Sequence, residues 1–166
     1  MLTSHELMGF MSPGLALEIL TYVYESDKPL YRATLGAVAE ARKVRPLFLE
    51  HKPRTERHAL MISTLTRPAL DLVTGNLIRT WLLKKHNGML VDFLDALGIP
   101  HKEGVVEDLP ATVDDAKLKS AVEALLAKYP SEAVSVYLHA FNDMNEVNWP
   151  NLKSLLESDK RLQLGG

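Results

Sequence analysis

The chain has 166 residues, 46% of them apolar and 24% charged. That composition supplies enough apolar surface for a folded core and excludes a chain that is disordered throughout. The lack of cysteine excludes disulfides, thiol catalysis and cysteine-ligated zinc or iron–sulfur centres, and the net charge of −2 is not that of an obvious nucleic-acid binder.

No apolar run approaches the roughly 20 residues of a membrane helix. The opening MLTSHELMGF carries His5 and Glu6 but no Lys or Arg ahead of its apolar residues, unlike a secretory signal. The expected compartment is the cytoplasm. Residues 1–11 are read as a flexible lead, 12–160 as one helical domain and 161–166 as a flexible tail.

The first predicted helix runs from Ser12 to Glu25. Ser12 followed by Pro13 is the usual order of cap and first-turn proline. Leu15, Ile19, Tyr22 and Val23 share a face, and Leu17 and Leu20 widen it, so the helix is expected to be buried on most sides. After the break SDKP, residues 30–43 form a second helix with Ala33, Ala37 and Ala41 at four-residue spacing, a stripe that suits close helix contact. Pro46 and Pro53 bracket Leu47-Phe48-Leu49, and a third helix follows to Leu65. Pro68 opens or kinks a helix over 69–86 with Leu70, Val73, Leu77 and Trp81 as its seam. Lys84, Lys85 and His86 suit the negative end of its dipole, and Asn87-Gly88 ends it. A short helix over 89–97 stops at Gly98 and Pro100.

Residues 98–110, GIPHKEGVVEDLP, are the longest non-helical stretch. Thr112-Val113-Asp114-Asp115 reads as a capping box with Asp in place of Glu. The helix it opens buries Leu118, Val122, Leu125, Leu126 and Tyr129 and exposes Lys117, Lys119, Glu123 and Lys128. Tyr129-Pro130-Ser131 starts another, with Val134, Tyr137, Leu138 and Phe141 inward, and a last helix carries Leu152, Leu155 and Leu156. Seven or eight helices with short connections define an all-α class, a compact multi-helix bundle.

Segments 82–98 and 125–142 align with one inserted residue, pairing Leu82 with Leu125, Lys85 with Lys128 and Phe93 with Tyr137; 118–123 answers 152–157. Helix pairs recurring at about 40 residues would give stacked, HEAT-like organisation in the C-terminal half, and the alternative is chance similarity between amphipathic helices.

Charge is unevenly placed. Residues 1–86 hold 12 Lys/Arg against 8 Asp/Glu, net +4, and residues 87–166 hold 7 against 13, net −6. Within the first half, RKVRPLFLEHKPRTER concentrates Arg42, Lys43, Arg45, Lys52, Arg54 and Arg57. Several cations on one surface can hold phosphate, nucleic acid or an acidic protein, and end-turn cations can equally form a solvated rim that complements helix dipoles. Phe48 is the only ring in the stretch, which leaves little for base stacking.

His51, Glu56 and His58 lack the i, i+4 spacing of a helical metal site, and no metal is expected there. His101, Glu103, Glu107 and Asp108 in the long loop form a candidate partner-contact site, a plain surface loop being the other reading. No nucleophile elbow, phosphate-cradling glycine loop or dinucleotide fingerprint is present, so no catalytic residue and no cofactor are assigned. His139, Trp81 and Trp149 are read as core residues. Gly165-Gly166 resembles a conjugation tail in those two residues alone.

The leading expectation is a non-catalytic helical module that binds another protein or a copy of itself. Nucleic-acid or phosphate binding through 42–57 is the first alternative. A helical bundle that binds a small ligand or acts as an enzyme is the second.

Overall fold

The structure, a computed structural model, describes residues 2–145 and 148–164. Among the described residues it contains ten α-helices and no strand; the only ladder pairing is an isolated bridge between Lys102 and Val105. The helices are α1 (Ser4–Phe10), α2 (Pro13–Ser26), α3 (Lys28–Arg42), α4 (Pro46–Glu50), α5 (Arg54–Leu65), α6 (Asp71–Lys85), α7 (Asn87–Leu97), α8 (Asp115–Lys128), α9 (Ser131–Met144) and α10 (Pro150–Ser158). Single 3₁₀ turns lie at Pro68–Leu70 and Lys160–Leu162. The all-α expectation holds, with more helices than expected because the short ones at 4–10 and 46–50 are separate elements. No described helix is long and apolar enough to cross a membrane.

The chain divides into two compact units, Thr3–Trp81 and the segment from Leu82 onward. In the first unit α2 packs on α3 and α5, α3 also meets α4 and α5, and α1 lies on α5 and the turn at 68–70. Ser12 caps α2 as expected, its hydroxyl accepting the Leu15 N–H at 3.2 Å. The buried face of α2 is Ala16, Ile19, Leu20 and Val23, while Leu17 is 45% exposed, so the helix is one-sided rather than buried all round.

The alanine stripe of α3 is not its packing face. Ala33 is exposed and Ala37 and Ala41 are partly so. The larger Tyr31, Leu35 and Val38 face inward, with Thr34 and Ala39, because they remove more apolar surface from water.

Residues 4–10, expected in a flexible lead, form a helix. Leu7 is fully buried, the Glu6 carboxylate accepts the Thr3 hydroxyl (2.6 Å) and N–H (3.2 Å), and the carboxylate of Asp71 accepts the His5 N–H (2.9 Å) and lies 2.6 Å from the ring Nδ1. Burial works against charge on Asp71, but those His5 contacts outweigh it and hold the carboxyl below its ordinary value.

In the second unit α7 packs on α8, α8 on α9, and α9 on α10 and the turn at 160–162. The cap of α8 is Asp114, whose carboxylate accepts the Lys117 N–H at 3.0 Å, two residues later than the box at Thr112 predicts. Helix α9 is buried on nearly every side. Phe93 meets Tyr137 and Phe141 edge to face, each at 5.5 Å, and Trp149 lies 5.1 Å from Phe141. Trp149 is 1% exposed, and its indole N–H donates to the Pro110 carbonyl at 2.9 Å. Asp92 accepts from Lys128 (2.8 Å) and Tyr129 (2.6 Å), tying α7 to the end of α8.

The expected flexible tail is anchored at its start. Leu162 is fully buried, and its carbonyl accepts from Ser135 Oγ and lies 3.3 Å from His139 Nε2. Arg161 grips both oxygens of Glu123. Gly165 and Gly166 lie outside the described residues. His139 is a core histidine, as read, and burial lowers its pKa.

Candidate functional site

The six cations of the basic stretch do not form one patch. Arg42 ends α3 and reaches across to α5, with Nε donating to Thr64 Oγ1 (2.8 Å) and a terminal nitrogen to Ser63 Oγ (2.9 Å). Lys43 is the left-handed C-cap of the same helix, at φ 57°. Cations there face the negative end of the α3 dipole. Arg57 is bound near the other end of α5, two turns or about 10 Å from Ser63 and Thr64. Its Nε donates to Tyr31 Oη at 2.9 Å, and one terminal nitrogen donates to the carbonyls of Glu50 (3.3 Å) and Lys52 (3.4 Å).

Between these ends stands α4. Only five residues long, it is held by Leu49, which is fully buried, a contribution of about 2 kcal/mol. Successive helical residues are about 100° apart, so anchoring Leu49 turns its predecessors outward: Leu47 is 56% and Phe48 52% exposed. Lys52 sits over the Phe48 ring at 4.8 Å, and Arg45, the exposed N-cap of α4, completes the flank. The result is an apolar pair bordered by cations.

A second grouping was missed from the sequence. Tyr24 of α2 has Lys28 over its ring at 4.1 Å, Arg54 at 5.4 Å and Arg57 at 6.0 Å. Tyr24, Tyr31 and His58 pack edge to face, with centroids 4.9–5.6 Å apart. Beside them opens a cleft of about 250 Å³ lined by Tyr24, Lys28, Tyr31, Arg32, Glu50 and Arg57, with the buried Leu35. Among the described residues no carboxylate lies within 4 Å of Lys28, Arg32, Arg54 or Arg57, or of the cations around α4.

Hydrogen-bond direction fixes the protonation of this cluster. The Arg57 guanidinium can only donate, so Tyr31 Oη accepts from it and has its one proton left for His58 Nε2, 2.9 Å away. The arrangement that gives the Tyr31 proton an acceptor has His58 as the Nδ1–H neutral tautomer. His58 is 2% exposed, and burial first, then Arg57 and Arg54, lower its pKa to about 4. Burial likewise raises the Tyr31 hydroxyl pKa against the opposing pull of Arg57. His51 is exposed and apart from this network. Among the described residues no cluster of three or more His, Asp or Glu is arranged to hold a metal ion.

In the second unit two of the predicted loop residues, His101 and Glu103, belong to a tight turn, and Glu107 and Asp108 follow it. Lys102 and Val105 exchange two backbone hydrogen bonds (2.9 and 3.0 Å) around Glu103 (φ 53°) and Gly104 (φ 86°). Asn87 Nδ2 donates to the Glu103 carbonyl at 2.5 Å. His101 Nδ1 accepts the Gly104 N–H (3.1 Å), which leaves Nε2–H to donate to Asp95 (2.7 Å). His101 is therefore a brace of the turn, while Glu103, Glu107 and Asp108 are exposed along the same stretch as Val105, itself 47% exposed. An adjoining cleft of about 510 Å³ runs between Leu97–Pro100 and Asp108–Lys117.

These features define an all-α protein with a basic, aromatic-bearing surface in one unit and an acidic turn in the other. The chain matches no family model, no curated protein and no solved structure.

Proposed function

We propose that the protein is a non-catalytic helical interaction module of the cytoplasm that associates with copies of itself, the face of α4 on one copy receiving the 101–108 turn of the next. The observation that carries this reading is the pair Leu47 and Phe48, half exposed on a helix pinned by Leu49 and flanked by Arg45 and Lys52. Val105, exposed in a stretch that also exposes Glu103, Glu107 and Asp108 against the single cation Lys102, has the complementary chemistry: a small apolar knob in an acidic segment. Opposite potentials steer encounter and fix register, and the apolar contact slows release. The net +4 and −6 of the two halves favour the same pairing. A cysteine-free chain suits a reducing compartment. The separation of the basic residues to opposite ends of α5 supports the nucleic-acid reading less well, because a tracked phosphate backbone needs the cations on one surface.

Two variants test the pairing. Phe48→Asp disables only the receiving face and Val105→Asp only the inserted turn; both positions are exposed, so folding is retained and is checked by circular dichroism. Light scattering of the wild type through the micromolar range at low salt is expected to show mass rising with concentration and falling with added salt. Each variant alone is expected to stay monomeric, and an equimolar mixture to form a dimer that grows no further. A monomeric wild type, or a mixture that stays monomeric, overturns the proposal.

A further inference from the structure

We propose that the cleft beside Tyr24 is a binding site for a small phosphate monoester. The argument is electrostatic and goes beyond the association surface, since it uses different side chains. Lys28 is the first residue of α3, and Arg54 and Arg57 lie in the first turn of α5. A helix N-terminus is already positive through its dipole, so acidic residues are favoured there and cations are disfavoured. Helix-end complementarity explains Arg42 and Lys43 at the other end of α3. Lys28 follows the end of α2, and Arg57 donates to the carbonyl that ends α4, so these two serve the preceding helix while also adding positive charge at a helix start.

Both helix starts meet over one ring: Lys28 and Arg54 sit 4.1 and 5.4 Å from the centroid of Tyr24. The acids nearby are Asp27, whose carboxylate caps α3 through the Leu30 N–H at 3.1 Å, Glu50 on the cleft wall and the exposed Glu56. None of them lies within ion-pair distance of a cleft cation among the described residues. Lys28, Arg32 and Arg57 line the cleft and Arg54 lies over the Tyr24 ring, against the single lining carboxylate of Glu50, which pairs with none of them, so the cleft carries an excess of positive charge. An anion that enters it relieves repulsion as well as gaining contacts.

The occupant follows from the shape. A phosphate monoester carries nearly two charges near neutral pH and three acceptor oxygens, which matches several converging cations better than a single carboxylate does. Arg57 is held rigid by Tyr31 and two carbonyls, so its guanidinium is positioned before any ligand arrives. The volume, about 250 Å³, lies below that of pockets for drug-sized ligands and restricts the organic group to a small one, with the Tyr24 and Tyr31 rings as its apolar wall.

Titration calorimetry at low ionic strength with phenyl phosphate, inorganic phosphate and benzoate tests this. Phenyl phosphate is expected to bind most tightly of the three. Lys28→Ala and Arg32→Ala, both at exposed positions, are each expected to weaken it about tenfold, the loss of one charge-assisted contact. Arg45→Ala and Lys52→Ala, outside the cleft, are expected to change it less than about twofold. Absence of binding by phenyl phosphate, equal or tighter binding of inorganic phosphate or benzoate, or an equal loss in the Arg45 and Lys52 variants overturns the proposal.

Discussion

Replacing Trp149 by alanine is expected to destabilise the second unit by about 4 kcal/mol, the cost of emptying a fully buried aromatic site. The ring is 1% exposed, stacks at a tilt on Phe141 and closes an aromatic group that continues through Phe93 to Tyr137. Its indole N–H also ties the start of α10 to the carbonyl of Pro110, on the far side of α8 and α9 in sequence. Trp149→Phe retains most of the packing and loses that hydrogen bond, so a smaller cost of about 1–2 kcal/mol is expected. Urea unfolding followed by circular dichroism measures both. Equal effects of the two substitutions would show that the hydrogen bond, not the ring, dominates and would refute this assignment.

The second large effect is a loss of stability on acidification that originates at His58. An exposed imidazole in the unfolded chain titrates near 6.5, and the folded-state value is about 4. Above pH 6.5 both states are neutral at this residue and it contributes no pH dependence. As pH falls from 6.5 towards 4 the unfolded chain takes up a proton that the folded chain refuses, and stability drops by roughly 3 kcal/mol before levelling below the folded value. His139 acts in the same direction, whereas the depressed carboxyls of Asp92 and Asp159 lose their contribution only at lower pH, below the ordinary carboxylate value. His58→Gln retains an acceptor for the Tyr31 hydroxyl and cannot titrate. The variant is expected to lose most of the slope between pH 6.5 and 4 in urea midpoints. An unchanged slope would place the proton uptake elsewhere.

Much of the helical order was legible because local signals govern it. Ser12-Pro13 marked the start of α2, Gly98 at φ 68° closed α7, and the apolar period of α8 placed Leu118, Val122 and Leu125 inward. Signals that depend on competition between faces were read less well. The alanine stripe of α3 lost to Tyr31, Leu35 and Val38 because the wider apolar face removes more surface from water. α1 was unreadable as order because seven residues hold a helix only through tertiary anchors such as Asp71 and the buried Leu7.

The site was half legible. The sequence marked the cations of 42–57 and the loop at 101–108, but not that Arg42 and Arg57 would be engaged at opposite ends of α5. Tyr24, Lys28 and Arg32 were missed because they join Arg54 and Arg57 only through the packing of α2 and α3 on α5. One clue was present: Lys28 beside Pro29, and Arg54 beside Pro53, put positive charge at the two helix starts, where acidic residues are the usual choice.

The arrangement around Tyr31 has a kinetic consequence. Its phenolic proton is shut between the imidazole lone pair of His58 and an oxygen already engaged by Arg57, in a side chain only 7% exposed. Before that proton can pass to water its hydrogen bond to His58 has to break, and the packing of α3 on α5 holds the two side chains together. The lifetime of a single hydroxyl hydrogen thus reports how long that one bond between the two helices lasts.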